Sequence, residues 1–118
     1  MPSLHPRAKK DLLAMGYEYV EITEHWVAFP VIPGQRRKIK GVRKDLMGFA
    51  DLLALGGPDH GPTAVQVTST GNMSARRKKI LGSPVARLWC DSGMEVLLLG
   101  YCKNKKGRYE RREEWISW

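Results

Sequence analysis

Three polar residues lie within two otherwise apolar segments of the chain. Asp51 belongs to the segment 45–55, DLMGFADLLAL, and Gln66 and Thr68 belong to the segment 63–68, TAVQVT. The two segments predict the strands of one hairpin, with side chains alternating between faces, so that Gln66 and Thr68 share a face. Burying an unpaired carboxylate is strongly unfavourable. Asp51 therefore needs a partner, and a metal ion is one candidate.

Oxygen donors at these positions suit metal-dependent cleavage of phosphodiester bonds. Hard oxygen ligands hold Mg²⁺ or Mn²⁺, which polarises the phosphate and lowers the pKa of the attacking water. We expect the ligands to be the Asp51 carboxylate, the Gln66 side-chain oxygen and the main-chain carbonyl of Val67, since residues facing each other in a hairpin approach within about 5 Å. The Thr68 hydroxyl could position a water or a phosphate oxygen.

Purely structural roles for the same residues remain open on these grounds. Asp51 could cap a turn, or form an ion pair with Arg43 or Arg76. Gln66 and Thr68 could satisfy neighbouring backbone groups.

The elements that must position these residues follow from hydrophobic periodicity and from turn residues. Ser83 is expected to cap a helix whose first turn contains Pro84, and Asn72 or Ser74 is expected to cap the helix before it. The predicted elements are a helix over 6–16, a strand over 17–29, the hairpin 45–55 and 63–68 with its connection 56–62, helices over 72–81 and 85–91, a buried strand over 94–101, a turn at 104–107 and a strand over 108–118. This order predicts one α/β domain spanning residues 1–118, a mixed sheet with helices packed on it.

The charge of the chain indicates a polyanionic partner. Twenty Lys and Arg against 12 Asp and Glu give a formal net charge of +8, and nucleic acid is favoured over an anionic membrane or an acidic protein. Two basic segments are the expected phosphate contacts, although a run such as the second can also be a solvated helix face. They comprise Arg36, Arg37, Lys38, Lys40, Arg43 and Lys44 in and after a Pro/Gly-punctuated loop, and Arg76, Arg77, Lys78 and Lys79 on a helix.

Several classes of protein are disfavoured. No apolar run approaches the roughly 20 residues of a membrane span, and the N-terminus MPSLHPRAKK lacks the apolar core of a signal peptide. A cytoplasmic protein is expected. Cys90 and Cys102 form no CxxC pair and the histidines at 5, 25 and 60 are scattered, so a zinc site is not expected and both thiols should be free.

These motifs together resemble the PD-(D/E)xK nuclease superfamily. The segments GFADLLAL, AVQVTS, SARRKKI and GYCKNKKGRYERREEW are similar to small phage and prophage proteins related to Holliday-junction resolvases. The resemblance covers nearly the whole chain. It implies a restriction-endonuclease-like mixed sheet in the order α-β-β-β-α-β-β and a Mg²⁺- or Mn²⁺-dependent endonuclease acting on branched or distorted duplex DNA.

The resemblance also implies roles for individual residues. Asp51 stands at the aspartate position, Gln66 at the second acidic position and Thr68 at the lysine position. A neutral Gln66 lowers the metal affinity, because charge is a major part of what holds a hard dication. The positive charge of the missing lysine could come from Arg76, Lys78 or Lys79, of which Lys79 is the expected catalytic residue. The acidic residue that resolvases often carry on the first helix could be replaced by Asp11, Glu21, Glu24 or Asp45.

The resolvase likeness predicts a homodimer, since a symmetric cut in two strands calls for two sites related by a two-fold axis. Two other functions remain alternatives. One is a nucleic-acid-binding module that kept the nuclease scaffold and lost the chemistry, which the neutral Gln66 and Thr68 favour. The other is a regulator from a mobile element whose basic face binds an acidic protein.

Overall fold

A five-stranded mixed β-sheet carries the residues singled out above. The structure, a computed structural model, describes residues 4–23, 25–28, 41–44 and 46–118, and for 25–28 and 41–44 it describes the backbone alone. In chain order the elements are α1 (His5–Ala14), β1 (Tyr19–Ile22), β2 (His25–Ala28), β3 (Gly41–Lys44), β4 (Leu52–Leu55), β5 (Thr63–Ser69), a 3₁₀ turn (Thr70–Asn72), α2 (Met73–Leu81), α3 (Pro84–Asp91), β6 (Glu95–Lys103) and β7 (Tyr109–Trp115).

The strand order in the sheet is β1-β4-β5-β6-β7, and β2 and β3 form a separate antiparallel pair. Neighbouring strands are antiparallel except β5 and β6, which are parallel. A parallel pair needs a crossover connection, and here α2 and α3 supply it. The predicted mixed sheet with packed helices is therefore confirmed. Within the five-stranded sheet the order is α-β-β-β-α-α-β-β, one helix more than the expected arrangement.

Hydrophobic side chains cover both faces of the sheet, because successive residues of its central strands point to opposite sides. Val65 and Val67 of β5 pack with the buried residues of α1, Ala8 and Leu12. Ala64, on the other face, packs with residues of α2 and α3 that include Met73, Ile80 and Ala86. The expected burial of the EVLLLGY segment on both faces is confirmed, since every residue from Val96 to Tyr101 is buried.

The capping residues predicted from the sequence are confirmed at one helix start and not at another. The Ser83 side chain accepts a hydrogen bond from the Ala86 N–H (3.2 Å), and Pro84 opens α3, as expected. Asn72 occupies the position before α2 but its side chain makes no capping bond, because the chain enters that helix through the 3₁₀ turn. None of the helices in the described part of the chain is long and apolar enough to cross a membrane.

Two predicted strands are wrong in extent. The segment 17–29 divides into β1, which joins the large sheet, and β2, which pairs with β3. Among the described residues 46–55 of the second segment, only Leu52–Leu55 forms a strand. Met47 (φ 54°) and Gly48 (φ 78°) adopt left-handed backbone conformations, and the Ala50 N–H donates to the Leu46 carbonyl (3.2 Å). This tight turn keeps the strand from starting earlier.

Candidate functional site

Asp51 lies immediately before β4 rather than in the middle of a strand. Its N–H donates to the carbonyl of Val65 (2.8 Å), the residue that pairs in register with Leu52. Two consecutive residues of one strand thus face one residue of the other, the arrangement of a β-bulge. A bulge re-aims a side chain, and here it directs the Asp51 carboxylate along β5 toward Gln66 and Val67.

The Asp51 carboxylate is buried, with 6% of the residue exposed, and it is held by hydrogen bonds. Its Oδ2 accepts from the Gln66 Nε2 (2.9 Å) and from the Val67 N–H (3.1 Å). Both donors belong to β5, at residues beyond those that pair with β4. The prediction that Asp51 and Gln66 meet is therefore confirmed, with a neutral amide and a main-chain N–H as partners of the carboxylate.

The Gln66 amide lies between two oxygen atoms. Its Nε2 donates to Asp51 Oδ2 and, at 3.4 Å, to the carbonyl oxygen of Val67. A positively polarised NH₂ group bridging a carboxylate and a carbonyl stands where a small cation could bind both oxygens. Rotation of the amide by half a turn would present the Gln66 Oε1 instead, which makes three oxygen donors of the kind Mg²⁺ and Mn²⁺ prefer.

These donors are not a cluster of charged or imidazole ligands. Among the residues that the structure describes, no three His, Cys, Asp or Glu side chains come together. The oxygen set at Asp51 draws on an amide and a main-chain carbonyl, so it carries a single formal negative charge. The residues fit a hard dication in donor type, and the low charge predicts a weak affinity.

His5 is a residue of this site that the sequence analysis did not select. Its Nε2 lies 3.4 Å from Asp51 Oδ2, and 19% of its side chain is exposed. His5, Ala8 and Leu12 follow the spacing of one helix face, and Ala8 and Leu12 are the buried residues of α1. That spacing was the available signal: it places His5 toward the sheet at the end of the helix near Asp51.

The acidic candidates for the first-helix position lie elsewhere or outside the described residues. The Asp11 carboxylate accepts a hydrogen bond from the Tyr101 hydroxyl (2.7 Å) and lies 3.5 Å from Arg111. Glu21 is exposed on β1. Glu24 and Asp45 fall outside the described residues. His5, a base rather than an acid, is the side chain of α1 placed at the site.

Thr68 is buried two residues beyond Gln66, and it pairs in register with Gly100 of β6. A Cβ atom at Gly100 would collide with the Met73 side chain, so α2 begins directly against this part of the sheet. Beyond Thr68 a cavity of about 430 Å³ opens between α2 and β7, and its lining includes Thr70, Arg77 and Arg112.

The predicted phosphate contacts are described only in part. Arg36, Arg37, Lys38 and Lys40 fall outside the described residues, and for Arg43 and Lys44 of β3 only the backbone is described. On α2, Arg76 and Arg77 are half-buried while Lys78 and Lys79 are exposed. Arg77 pairs with Glu114 of β7 (2.8 Å). The contacts described for Asp51 include no cation of α2, so the catalytic role of Lys79 stays a prediction.

Comparison of the chain with models of protein families, with curated proteins and with solved structures finds no match in any of the three. The superfamily therefore stays a prediction from the motifs.

Proposed function

We propose that this protein is a divalent-metal-dependent endonuclease-like protein of PD-(D/E)xK architecture. Its substrate is the phosphodiester bond of branched, Holliday-junction-like, or otherwise distorted duplex DNA. The observation that carries the proposal is the convergence of Asp51 Oδ2, the Val67 carbonyl and the Gln66 amide at one buried point. The sheet order, with three antiparallel strands followed by a helical crossover to a parallel strand, supports it.

In this proposal the metal is held by Asp51, by the Val67 carbonyl and by Gln66 after its amide has turned. Bound Mg²⁺ or Mn²⁺ supplies a Lewis acid for the phosphate and lowers the pKa of a water molecule. The bulge at Asp51 and the register of β5 bring Asp51 Oδ2, the Val67 carbonyl and the Gln66 side chain together, so that metal binding would require a rotation of the Gln66 amide alone.

His5 supplies the basic group that Thr68 lacks. An imidazole nitrogen can accept a proton from a water molecule, and the imidazolium form can carry a positive charge beside the phosphate. The His5 Nε2 lies 3.4 Å from Asp51 Oδ2, beside the carboxylate that would hold the metal. Thr68 can donate or accept one hydrogen bond but cannot hold the positive charge of a lysine.

A second function is favoured by one observation. The Gln66 amide points its donor, not its oxygen, toward the carboxylate, and this bond satisfies Asp51 without a metal. A protein stabilised in this state would bind nucleic acid through its basic residues and not cut it.

Cleavage assays with matched acidic variants separate the two functions. A four-way junction, a linear duplex and a single strand are incubated with the protein in Mg²⁺ or Mn²⁺, beside Asp51→Ala, Asp51→Asn and the control Asp91→Ala. Asp91 is 68% exposed and forms only a long contact with Arg87 (3.9 Å) among its described ion pairs. We expect metal-dependent cutting that both Asp51 variants abolish and Asp91→Ala retains. Because Asn has nearly the same shape as Asp, a loss of cutting in Asp51→Asn is not explained by a loss of folding.

In the active protein, His5→Gln should lower the rate of cutting, because an amide can form a hydrogen bond but cannot take up a proton from water. Salt-dependent DNA binding without cutting in either metal would overturn the endonuclease and leave the binding module. A protein without affinity for nucleic acid at moderate salt would favour the acidic-protein regulator instead.

A further inference from the structure

The hairpin formed by β6 and β7 carries a dense group of cations that the site does not use. Of the ten residues from 103 to 112, six are Lys or Arg and one is Glu. All six cations are exposed, and they are Lys103, Lys105, Lys106, Arg108, Arg111 and Arg112. Like charges at this density repel one another, so an anionic partner that neutralises them would bind favourably.

The tip of this hairpin has a defined shape. The Asn104 side-chain oxygen accepts from the N–H groups of Lys106 (2.9 Å) and Arg108 (3.1 Å). The Asn104 N–H donates to the Arg108 carbonyl (2.8 Å), and Gly107 adopts the positive φ of 77° that closes the turn. Because the backbone is already ordered, Lys105 and Lys106 can meet a partner with little loss of conformational entropy in the main chain.

Cations at the base of the hairpin are held against an aromatic ring. The Arg7 guanidinium lies 4.3 Å from the centre of the Tyr109 ring, and the Lys103 ammonium lies 5.3 Å from it. Tyr109 in turn packs edge-on against Tyr101 at 6.4 Å. Arg111 differs, since it pairs with Asp11 (3.5 Å) and Glu113 (2.9 Å). The cations available to a partner are thus those at the tip together with Arg7 and Lys103.

The first turn of α1 joins this surface to the candidate site. His5 contacts Asp51, and Arg7, two residues later, contacts Tyr109 at the base of the hairpin. The parallel register also places Gly100 beside Thr68, and β6 continues from there to Lys103 and the tip. A strand of nucleic acid lying on the hairpin would therefore reach Asp51 across the first turn of α1.

We infer that the β6–β7 hairpin is a nucleic-acid-binding arm whose Lys105 and Lys106 contact backbone phosphates, with Arg7 and Lys103 continuing the contact toward Asp51. This inference rests on the proposed function for its substrate and adds an element outside the two predicted basic segments. A two-stranded ribbon is narrow enough to lie in a major groove, and lysines bind phosphate without regard to base sequence. The arm should therefore contribute affinity and orientation.

The test compares two variants with the same change in net charge. Lys105→Gln/Lys106→Gln and Arg87→Glu each lower the charge by two, and Arg87 lies on α3, on the opposite face of the sheet from α1. Binding of a labelled duplex and a four-way junction is measured by fluorescence anisotropy over a range of salt concentrations in EDTA. Without metal no cutting interferes, so the result does not depend on catalysis.

We expect the hairpin variant to bind roughly tenfold more weakly near 0.1 M salt, and the slope of log K against log salt to fall by about two. Arg87→Glu should keep the slope of the unmodified protein. An equal loss of DNA affinity in both variants, or an unchanged salt slope in the hairpin variant, contradicts the inference that the hairpin binds nucleic acid. If the protein binds DNA through the hairpin but cuts none in Mg²⁺ or Mn²⁺, the nucleic-acid-binding arm is supported. That result overturns only the proposed endonuclease activity.

Discussion

At the level of single residues, the buried Asp51 carboxylate accepts hydrogen bonds from neutral donors. Two hydrogen bonds, from the Gln66 amide and from the Val67 N–H, stabilise the carboxylate, and His5 Nε2 lies 3.4 Å from it. Hydrogen bonds to an ionised group are worth about 1.5–3 kcal/mol. The identity of residue 66 therefore decides whether this carboxylate receives a hydrogen bond from a neutral amide or faces a second charge.

Gln66→Glu should strengthen metal binding in the proposed endonuclease. Two facing carboxylates repel, so we expect lower stability in EDTA and a gain in Mn²⁺ affinity of about tenfold, on the order of 1.4 kcal/mol, because ligand charge tunes the affinity for hard dications. Calorimetric titration and thermal unfolding with and without Mn²⁺ measure both effects. The double variant Asp51→Asn/Gln66→Glu has one carboxylate again and should lose the gain. Equal Mn²⁺ affinity in Gln66→Glu and the unmodified protein would contradict the assignment.

At the level of elements, the helix after β5 depends on a glycine in the neighbouring strand. Met73, the first residue of α2, packs over Gly100 of β6, and a Cβ atom there would collide with its side chain. The α2 helix also contacts β5, the strand that carries Gln66 and Thr68. The shape of this contact, rather than helix propensity, determines how closely α2 approaches the site.

Gly100→Ala should therefore lower the free energy of unfolding by about 1–3 kcal/mol, the usual effect of overpacking a close contact. Met73→Ala creates room beside Gly100. In the Met73→Ala background, the loss of unfolding free energy caused by Gly100→Ala should therefore be smaller by at least about 1 kcal/mol. Urea unfolding of the unmodified protein, the two single variants and the double variant gives the coupling free energy between Gly100 and Met73. Gly71→Ala serves as the control, because nothing lies within 4 Å of a Cβ atom at that position. If the effects of Gly100→Ala and Met73→Ala on the free energy of unfolding simply add, the Met73 side chain is not what opposes a Cβ atom at position 100.

At the level of the whole molecule, a partly buried hydrogen bond joins the first helix to the strands at the end of the chain. The Tyr101 hydroxyl donates to Asp11 (2.7 Å), 90 residues apart in sequence. Burial, the bond to Asp11 and the charge of Asp11 raise the pKa of the Tyr101 phenol, against the lowering effect of Arg111 and Arg7. This bond positions α1, and with it His5 and Arg7, on the sheet.

Tyr101→Phe should lower the stability by about 1–2 kcal/mol at neutral pH. Because the pKa is raised in the folded state, the contribution of Tyr101 is complete below the unfolded pKa of about 10 and decreases as the pH rises above it. The difference between the two proteins should therefore narrow above pH 10. Urea unfolding between pH 7 and 11 tests this, with the exposed Tyr19→Phe as control. A constant difference across that range would contradict the role assigned to the phenol.

Features that depend on neighbouring residues were predictable from the sequence. The apolar runs of β5 and β6, Ser83 before Pro84 in α3, and the turn at 104–107 each carry their own local signal, and the structure confirms all of them. Both Cys90 and Cys102 are free, as their spacing indicated. The proximity of Asp51 and Gln66 followed from the predicted hairpin, although a bulge rather than a regular strand pair brings them into contact.

Only the tertiary structure decided what completes the site. The left-handed turn at Met47 and Gly48 shortens β4 and places Asp51 at a bulge, although the alternating pattern of the sequence favoured a continuous strand. His5 reaches Asp51 because the packing of Ala8 and Leu12 sets the position of α1 on the sheet. Such contacts join residues far apart in sequence, and their energy arises from packing, which no local pattern encodes. The sequence by itself indicated the oxygen donors at Asp51 and Gln66 and two basic segments; the assembled sheet decided that the His5 imidazole lies beside Asp51.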